Sequence, residues 1–473
     1  MADDDHVQGG RLRRLSRLAY LAARTTGDLL AAQARRKLSG ADLPHDDLHR
    51  AGERILATLG ELKGAALKLG QALAMDPDAL PEEARRVVAR LLSQAPQRMD
   101  YPAVAEVIRA ELGEPPEALF ARFDPLPIAA ASLGQVHSAR LRDGTEVVVK
   151  VQYPGVEKAL ESDLANAAVF VRGFALAGES LDGRPYYDEL RASLLRELDY
   201  REEARQAESY AAAAARFPEL VVPRVVRERS SRRVLCLTRL RGQHLLDFIE
   251  EKRTEAERFR VARLLVLAIW GPFYATRLIH ADPHPGNFLV MDEGRLGVLD
   301  FGSTKLLSGQ FAEVYRMFFR ENAAGRRHPD VGPILKKAGF RFLGRSATAS
   351  PRGRSPKDGA SRSATASPAR GRSPKGGASG DEEDAFEFCQ KLADIVQRPI
   401  AEDVFDFGRD DFAAQLRAVF RSEPKLALSI KPPTEALLFY RSVAGLAQDL
   451  RLLKAKGPFR AVLAEIAERG YEA

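Results

Sequence analysis

Apolar residues recur at helical spacing over most of the chain. Residues 47–90 carry one long stripe of this kind, broken at Pro77 and Pro81. Acidic residues directly after Pro81 are typical of the first turn of a helix. The same periodicity predicts helices over residues 102–112, 155–176, 188–216, 245–277 and from 385 to the end. Helices therefore make up most of the predicted structure.

Strand-like patterns are confined to residues 136–299. Residues 136–141 and 146–152 are rich in β-branched or alternating apolar residues, and Asp143-Gly144 between them favours a tight hairpin turn. Further strands are predicted over 220–226, 233–237, 288–291 and 296–299. A small sheet with helices, followed by a mainly helical region, predicts an α+β fold with two lobes.

Residues 345–380 interrupt the helical region with a tandem duplication, RSATASPRGRSPKDGAS followed by RSATASPARGRSPKGGAS. The segment is rich in Ser, Pro, Gly and Arg, and it holds no apolar residue larger than Ala. Nothing in it can offset the entropy of ordering the chain. We predict a disordered insertion.

The net charge of +7 comes from this insertion alone. Eight of the 72 basic residues and one of the 65 acidic residues lie in it, so the remaining 64 basic residues balance 64 acidic ones. The basic pI of 9.3 is therefore no sign of a nucleic-acid-binding fold, and no nucleic-acid partner is expected.

Cysteine content and the lengths of the apolar runs indicate the compartment. The chain has two cysteines, Cys236 and Cys389, which excludes a disulfide framework and suits a reducing environment. The longest uncharged apolar run, residues 264–276, is too short to span a membrane and predicts a buried helix. The acidic start at Met1 lacks the features of a secretory signal. We expect a cytoplasmic protein.

Residues 11–37 form a basic segment with Leu12, Leu15, Leu18 and Ala22 at helical spacing. Two interpretations stay open for it. It is either an ordinary surface helix or an interfacial helix held by anionic lipid. The second would make the protein peripheral to the inner face of a membrane.

The densest chemical signal lies within residues 278–302. Asp282 is followed by Asn287 five residues later, and an Asp-Phe-Gly triplet begins at Asp300, thirteen residues further on. This is the spacing of kinase-type phosphoryl-transfer sites. Asp282 is the candidate carboxylate for the acceptor or the attacking water. Asn287 and Asp300 are the candidate oxygen ligands for Mg²⁺, and the strand pair between them lets them converge.

His280 and His284 lie on either side of Asp282, which raises the question of a zinc site. Pro283 and Pro285 argue against the continuous helix that such a metal pair requires. His280 is instead expected to pack against the loop and to form hydrogen bonds with it.

Lys150 ends a hydrophobic strand, and such a lysine can bind the α and β phosphates of a nucleotide. The plainer alternative is a strand-end lysine that extends to solvent. Compared with the Gly-x-Gly-x-x-Gly-x-Val motif of protein kinases, the preceding loop has alanine at the first two glycine positions. We therefore expect a stiffer loop that contacts a nucleotide differently. The nucleotide-binding candidates are Lys150 with Ala129, Ala130, Ala131, Ser132, Gly134 and Val136.

These motifs together resemble the UbiB (AarF, or ADCK) atypical kinase-like family. The match covers about residues 50–340, and less clearly the C-terminal helices. The Gly64–Gln71 stretch, together with QYPG at 152–155, is most similar to the branch linked to coenzyme Q biosynthesis. The segments that carry the resemblance are the alanine-rich loop, KLGQ at 68–71, VVVKVQYPGVE at 147–157, ELDY at 197–200 and the block 282–302.

The resemblance implies a role for a second group of residues. In this family a Lys-x-Gly-Gln helix lies over the active site, where a protein substrate would sit, and pairs with a Glu-x-Asp motif. The corresponding candidate regulatory residues are Lys68, Gly70, Gln71, Glu197 and Asp199. From the residues alone, Lys68 could equally be a surface lysine.

Glu203 is our choice for the carboxylate that orients Lys150. It lies four residues beyond Asp199 and so falls on a neighbouring helical face. Glu202 is the fallback.

The chain departs from the family pattern at two points. Thr238 stands where members usually carry a glutamate, in the segment expected to link the lobes, so the contacts to adenine are expected to differ. The insertion at 345–380 has no counterpart in the pattern, and no C-terminal transmembrane tail, which some bacterial members carry, is recognised.

We predict a two-lobed protein-kinase-like fold with an N-terminal helical extension. The predicted regions are a basic amphipathic segment (1–40), the Lys-x-Gly-Gln extension (41–125), the N-lobe (126–242), the C-lobe with the catalytic and metal loops (243–344), the insertion (345–380) and the C-terminal helices that complete the C-lobe (381–473).

The expected activity is Mg²⁺-dependent ATP binding and hydrolysis, with transfer of a phosphoryl group to a small molecule or lipid left open. The resemblance implies support of ubiquinone or other isoprenoid-lipid metabolism and a lipid or quinone-precursor ligand. The alternatives are a nucleotide-gated, non-catalytic lipid-binding scaffold, a true protein kinase, and a small-molecule phosphotransferase of the antibiotic-resistance kind.

Overall fold

The computed structural model of the chain describes residues 99–131, 133–158, 191, 195–325, 331–342 and 380–471. Several sequence predictions concern residues outside these ranges. They are the basic segment 11–37, the helical stripe over 47–90 with Lys68, Gly70 and Gln71, loop residue Ser132, most of the helix over 155–176, and nearly all of the insertion.

The described helices and strands are as follows. The helices are α1 (Tyr101–Leu112), α2 (Pro116–Leu119), α3 (Tyr200–Ala214), α4 (Leu245–Glu250), α5 (Glu255–Thr276), α6 (Gly309–Ala323), α7 (Gly332–Lys337), α8 (Gly380–Val396), α9 (Arg398–Ala401), α10 (Phe412–Ser422), α11 (Pro424–Ser429), α12 (Thr434–Leu452) and α13 (Phe459–Tyr471). The strands are β1 (Arg122–Ala131), β2 (Gly134–Arg140), β3 (Glu146–Gln152), β4 (Leu220–Val221), β5 (Val234–Thr238), β6 (Gln243–His244), β7 (Leu278–His280), β8 (Phe288–Met291), β9 (Arg295–Val298), β10 (Thr304–Leu306), β11 (Arg341–Phe342), β12 (Phe405–Asp406), β13 (Ile430–Lys431) and β14 (Lys456–Gly457).

The first lobe is an antiparallel sheet in the order β1-β2-β3-β5, with α1 packed on one face. Asp100 caps α1 by accepting a hydrogen bond from the Ala103 amide, and Gly113 ends the helix at a φ of 85°, which favours glycine. Its apolar face meets alternate valines of β3 in one small core, formed by Val104, Val107, Ile108, Val147, Val149 and Val151 with their neighbours.

Two strand predictions need correction. β1 was not predicted, because Pro125 and Pro127 lie within it; the structure tolerates them since β1 pairs with β2 alone and occupies the edge of the sheet. The strand predicted over 220–226 is shorter. Only Leu220–Val221 is a strand, because Pro223 has no N–H to donate, and Val225 then forms an isolated bridge to Leu237.

The second lobe is built around α5, whose middle is buried on all sides as the apolar run predicts. The single helix predicted over 245–277 is two helices, α4 and α5. They separate because Thr254 and Glu257 form a reciprocal capping box that starts a new helix at Glu255. A sheet in the order β4-β9-β8-β6 lies beside α5, and α12 and α13 pack against the helix from the C-terminal region.

The C-terminal helices are tied back to the rest of the lobe by ion pairs. Arg469 on α13 contacts both carboxylate oxygens of Glu219 at 2.8 Å, and its guanidinium lies over the Phe217 ring. The segments on either side of the insertion also meet, because the rings of Phe342 and Phe386 lie 4.9 Å apart. The described residues on either side of the insertion therefore lie close together.

No helix within the described ranges is both long and apolar enough to cross a membrane.

Candidate active site

A cleft of about 630 Å³ separates the first sheet from the β8–β9 hairpin of the second lobe. It is lined by Ile128, Ala129, Ala130, Ala131, Val136, Val148, Lys150, Glu203, Pro223, Leu235, Leu237, Thr238, Arg239, Leu240, Arg241, Gly242, His244, Asp282, His284, Gly286, Asn287, Leu289, Leu299 and Asp300. The cleft therefore brings together side chains that the sequence analysis selected from five separate segments.

Lys150 and Glu203 form an ion pair in the upper wall of the cleft. The Lys150 Nζ lies 2.8 Å from each carboxylate oxygen, and the two side chains are 16% and 10% exposed. β3 supplies the lysine and α3 the glutamate. Asp199 caps α3 by accepting a hydrogen bond from the Arg201 amide, which fixes where the helix starts and so which face carries Glu203.

The charges around Lys150 keep it protonated. Burial alone would lower the pKa of this lysine, but the carboxylates of Glu203 and Asp300 outweigh that effect and raise it above its usual value. Burial raises the pKa of Glu203, and the ammonium group opposes that shift. The Tyr200 ring, with its centroid 5.0 Å from Nζ, covers the lysine on a further side. A fixed positive charge is thus held inside the cleft.

Glu202, the fallback partner for Lys150, lies on another face of α3. Its carboxylate accepts a hydrogen bond from Arg205 Nε at 3.0 Å. The structure therefore places Glu203, and not Glu202, beside Lys150.

Asp282 lies in a loop whose main chain is fixed from within. Its carbonyl oxygen accepts hydrogen bonds from the His284 amide at 2.8 Å and from Asn287 Nδ2 at 3.0 Å. Its carboxylate Oδ1 accepts one from Arg441 Nη2 at 2.8 Å. The loop thus holds the carboxylate of Asp282 and the amide of Asn287 at the floor of the cleft.

The β8–β9 hairpin returns the chain to this loop. Phe288 pairs with Val298, and the Leu299 amide donates to the Asn287 carbonyl at 2.9 Å. Asp300 follows directly, and its Oδ1 accepts a hydrogen bond from the Gly302 amide at 2.9 Å. The hairpin is the reason that two residues thirteen positions apart line the same end of the cleft.

The donor set suits a divalent cation shared with a nucleotide. The Asn287 amide nitrogen donates to the Asp282 carbonyl, which leaves the amide oxygen available to a cation. No cluster of three or more His, Cys, Asp or Glu side chains able to hold a metal is present in the described part of the chain. The oxygens of Asn287 and Asp300 would suffice for Mg²⁺, because this cation prefers oxygen ligands and fills its other positions with water and phosphate.

The histidines next to Asp282 do not converge on a metal. His280 is 1% exposed, and its Nε2 bonds the Asp300 carbonyl, so Nε2 carries the proton. Burial lowers the pKa of His280, which keeps the ring neutral. His284 Nδ1 instead accepts a hydrogen bond from the Gly286 amide at 3.1 Å. As expected, His280 packs in the loop, with Phe301 and Tyr210 around it.

Comparison with known proteins identifies the family. The family model for the ABC1 atypical kinase-like domain matches residues 90–326, half of the 473-residue chain. The chain belongs to the ABC1 atypical kinase-like family.

Curated relatives carry kinase names. "Atypical kinase COQ8B, mitochondrial" of Rattus norvegicus is 30% identical over 331 residues, which is 68% of this chain and 62% of that protein. "Atypical kinase COQ8, mitochondrial" of Saccharomyces cerevisiae is 31% identical over 266 residues, 56% of this chain and 52% of that protein. The chain thus spans less than two thirds of the length of these relatives.

A solved structure supports the same assignment. The structure of Rv3197 with erythromycin from Mycobacterium tuberculosis has 28% sequence identity and a TM-score of 0.57, and the match covers 89% of this chain and 96% of that one. The α+β kinase-like fold predicted from sequence is confirmed, as is the resemblance to the UbiB family.

The alanine-rich loop of this family member is part of a strand pair. Ala129 pairs with Val136 and Ala131 with Gly134 between β1 and β2, and the three alanines and Val136 line the cleft. Gly134 does not line it. A Cβ at Gly134 would lie 2.1 Å from the Val151 carbonyl oxygen, so glycine is needed there for contact with β3.

Thr238, the departure from the family pattern, ends β5 at the link between the lobes. Its hydroxyl accepts a hydrogen bond from the Arg224 amide at 2.8 Å, and its own amide donates to the Arg224 carbonyl at 2.9 Å. The Thr238 side chain is therefore hydrogen-bonded to the main chain of the segment before β5. The neighbouring residues 239–242 also line the cleft at this wall.

Asp199, predicted to act with the Lys-x-Gly-Gln segment, is paired locally. Arg201 Nε and Nη2 donate to its two carboxylate oxygens at 2.9 and 2.8 Å, and these bonds with the guanidinium lower the pKa of Asp199. Glu197 lies in the turn that precedes α3. The predicted partners Lys68, Gly70 and Gln71 lie outside the described residues.

Arg441 was missed by the sequence analysis, although it contacts Asp282 directly. It is one of two arginines in an amphipathic helix, and it lies 159 positions from its partner. No local spacing marks such a residue, and only the packing of α12 reveals it.

Proposed function

We propose that this chain binds ATP with Mg²⁺ in the cleft and hydrolyses it, or transfers its γ-phosphoryl group to a small-molecule or lipid acceptor. The observation that carries the proposal is the placement of the Lys150–Glu203 pair opposite Asp282, Asn287 and Asp300 in one cleft. Phosphoryl transfer depends on positioning and charge stabilisation, and these groups supply both.

Lys150 would bind the α and β phosphates. Its charge is permanent, and Glu203 holds the ammonium by two equal contacts, so little entropy is lost when phosphate arrives. The three alanines at the end of β1 would lie over the phosphates. The backbone amides of Leu240 and Arg241, which have no hydrogen-bond partner among the described residues, are candidate contacts for the base.

Asn287 and Asp300 would hold Mg²⁺ through one amide and one carboxylate oxygen. When bound, the cation would offset the negative charge of the β and γ phosphates. Asp282 would orient the attacking hydroxyl or water, since its carboxylate is the acidic group at the loop end of the cleft that is not assigned to the metal.

The physiological role is proposed from the family. Relatives named COQ8 suggest support of ubiquinone or other isoprenoid-lipid metabolism, with a lipid or quinone-precursor ligand and contact with a membrane surface. Lys68, Gly70 and Gln71 would occlude the acceptor side, with Glu197 and Asp199 as their partners. This arrangement favours a small acceptor over a protein.

The proposal is tested by Mg²⁺-ATP binding. Asp300→Asn removes a ligand charge from a hard cation, and Lys150→Ala removes the phosphate contact. Both variants should lose most of the rise in melting temperature that Mg²⁺-ATP gives the wild-type protein. Asp292→Asn and Lys252→Ala, which alter exposed residues, are the matched controls.

A wild-type shift that survives in both variants contradicts the assignment of these residues. Nucleotide binding without turnover would favour the non-catalytic scaffold. Transfer of label from γ-labelled ATP to an added protein would favour a true protein kinase.

A further inference from the structure

Arg441 on α12 contacts the side chain of Asp282, the residue proposed to orient the attacking group. Its Nη2 lies 2.8 Å from Asp282 Oδ1, and the two side chains are 28% and 16% exposed. Partial burial makes such an ion pair stronger than one on the surface, because the surrounding protein screens it less than water does.

The docking of α12 does not depend on this ion pair. Ser442, next to Arg441, is fully buried, and its hydroxyl donates to the His280 carbonyl at 2.7 Å. At the start of the helix, Glu435 accepts hydrogen bonds from the Ser308 amide and hydroxyl at 3.0 and 2.8 Å. These contacts hold α12 in place, and the helix positions Arg441 beside Asp282.

The contact is also incomplete as a structural salt bridge. Arginine usually binds a structural carboxylate through two parallel hydrogen bonds. Here one nitrogen meets one oxygen, and Arg441 Nε is buried without a partner among the described residues. Within the same ranges Asp282 Oδ2 accepts no hydrogen bond.

The main chain and the carboxylate of Asp282 are held by different residues. His284 and Asn287 both donate to the Asp282 carbonyl oxygen, so these two hydrogen bonds do not restrain the side-chain torsions. Arg441 supplies the contact that restrains them in the described part of the chain.

We propose that Arg441 is the positioning residue for Asp282. By holding Oδ1, the guanidinium directs Oδ2 toward the attacking hydroxyl or water. The inference rests on the proposed function, in which Asp282 orients that group. It adds a contribution from the C-terminal helices to the chemistry of the cleft.

The first test compares Arg441→Ala with Arg451→Ala, an exposed arginine near the end of the same helix. We expect Arg441→Ala to lower kcat for ATP hydrolysis roughly 10- to 100-fold, as misplacement of a catalytic group does. The KM for ATP and the ATP-induced thermal shift should stay within about twofold of wild type, since Arg441 does not line the nucleotide wall. Arg451→Ala should behave as wild type.

Chemical rescue separates positioning from folding. Methylguanidinium added to Arg441→Ala should restore part of kcat. Arg441→Lys should retain an intermediate kcat, because the ammonium group keeps the charge but lacks the planar donor geometry of the guanidinium group. The inference is overturned if methylguanidinium restores no activity, Arg441→Lys is as slow as Arg441→Ala, and the melting temperature falls. That result would show a structural role for Arg441.

A double-mutant cycle with Asp282→Asn gives the sharpest result. If Arg441 acts through the Asp282 carboxylate, Arg441→Ala should cost little further activity in the Asp282→Asn background. An equal fold-loss in both backgrounds overturns the inference. Wild-type protein that binds Mg²⁺-ATP without turnover overturns the hydrolytic step and this inference together. Full wild-type kcat in Arg441→Ala overturns the inference alone.

Discussion

Lys150 Nζ lies 2.8 Å from both carboxylate oxygens of Glu203, and this pair joins β3 to α3 in the wall of the cleft. The position of α3 and the charge in the cleft are therefore linked, because moving the helix would leave a buried ammonium without its partner. The same helix packs through Tyr210 against Phe301, 5.3 Å away, so its position also bears on the Asp-Phe-Gly segment.

We predict that Glu203→Gln destabilises the protein and weakens nucleotide binding. The amide keeps the shape of the carboxylate but leaves the buried Lys150 charge without its counter-ion. Breaking such a pair costs about 3 kcal/mol. Urea denaturation and the Mg²⁺-ATP thermal shift measure the two effects. Glu202→Gln is the matched control on the same helix and should change neither, and equal behaviour of the two variants would contradict the prediction.

A second prediction concerns His137, which is fully buried in β2. Its Nδ1 donates to the Asp124 carbonyl at 2.9 Å, and its Nε2 accepts from Gln135 Nε2 at 3.0 Å. The Gln135 amide is oriented by two hydrogen bonds with the Met99 backbone, both at 3.0 Å. A proton on His137 Nε2 would therefore face another N–H group.

Burial lowers the pKa of His137 below its usual 6.5. Between the two pKa values, His137 is protonated in the unfolded chain and neutral in the folded chain. Stability should fall as the pH drops through 6.5 toward the folded-state pKa, by at most about 1.4 kcal/mol per pH unit. Urea midpoints at about pH 7.5 and about pH 5.5 should differ less in His137→Gln than in wild type. His244→Gln, at an exposed histidine, should keep the wild-type difference.

Gly134→Ala should destabilise the first lobe. An added Cβ would lie 2.1 Å from the Val151 carbonyl oxygen, so β2 and β3 would have to separate. Overpacking of this kind costs about 1–3 kcal/mol. Ala131→Gly, at the paired position on β1, removes a methyl group without a clash and serves as the control. A normal melting temperature in Gly134→Ala would show that the hairpin yields more easily than its packing implies.

Replacing residues 345–379 with a short Gly-Ser linker should leave melting temperature and ATP turnover close to wild type. The flanking Phe342 and Phe386 rings are in contact, so a short linker can close the gap. Shortening a loop changes its closure entropy by about 0.6 kcal/mol per halving of length. A full-length variant with the eight basic residues of the insertion neutralised separates charge from length.

Liposome binding then decides what the insertion does. If it is a charged tether, both variants should lose binding to anionic liposomes, and added salt should weaken the wild-type interaction. A large fall in melting temperature on linker replacement would show that the segment has a structural role.

The sequence by itself determined much of the geometry around the loop. Asp282, Asn287 and Asp300 are joined by one short loop and one hairpin, so their spacing constrains how they can lie in space. The hairpin at Asp143-Gly144 and the buried run in α5 are likewise local, because turn preference and helical periodicity depend on adjacent residues. These predictions agree with the structure.

Where local preferences compete, the sequence left the outcome open. β1 contains two prolines that argue against a strand, yet it forms one, since an edge position does not need their missing N–H groups. The predicted strand over 220–226 stops at Val221. In both cases the place of the segment in the sheet was decisive, and no window of adjacent residues contains that information.

Only the tertiary structure decided which distant side chains meet. Glu202 and Glu203 are adjacent, and the start of α3 at its Asp199 cap, together with the helix's packing, turns Glu203 toward Lys150. Arg441 reaches Asp282 across 159 positions because Ser442 and Glu435 anchor α12 beside the loop. Such contacts depend on how whole elements pack, and packing is a property of all the elements at once rather than of any local pattern.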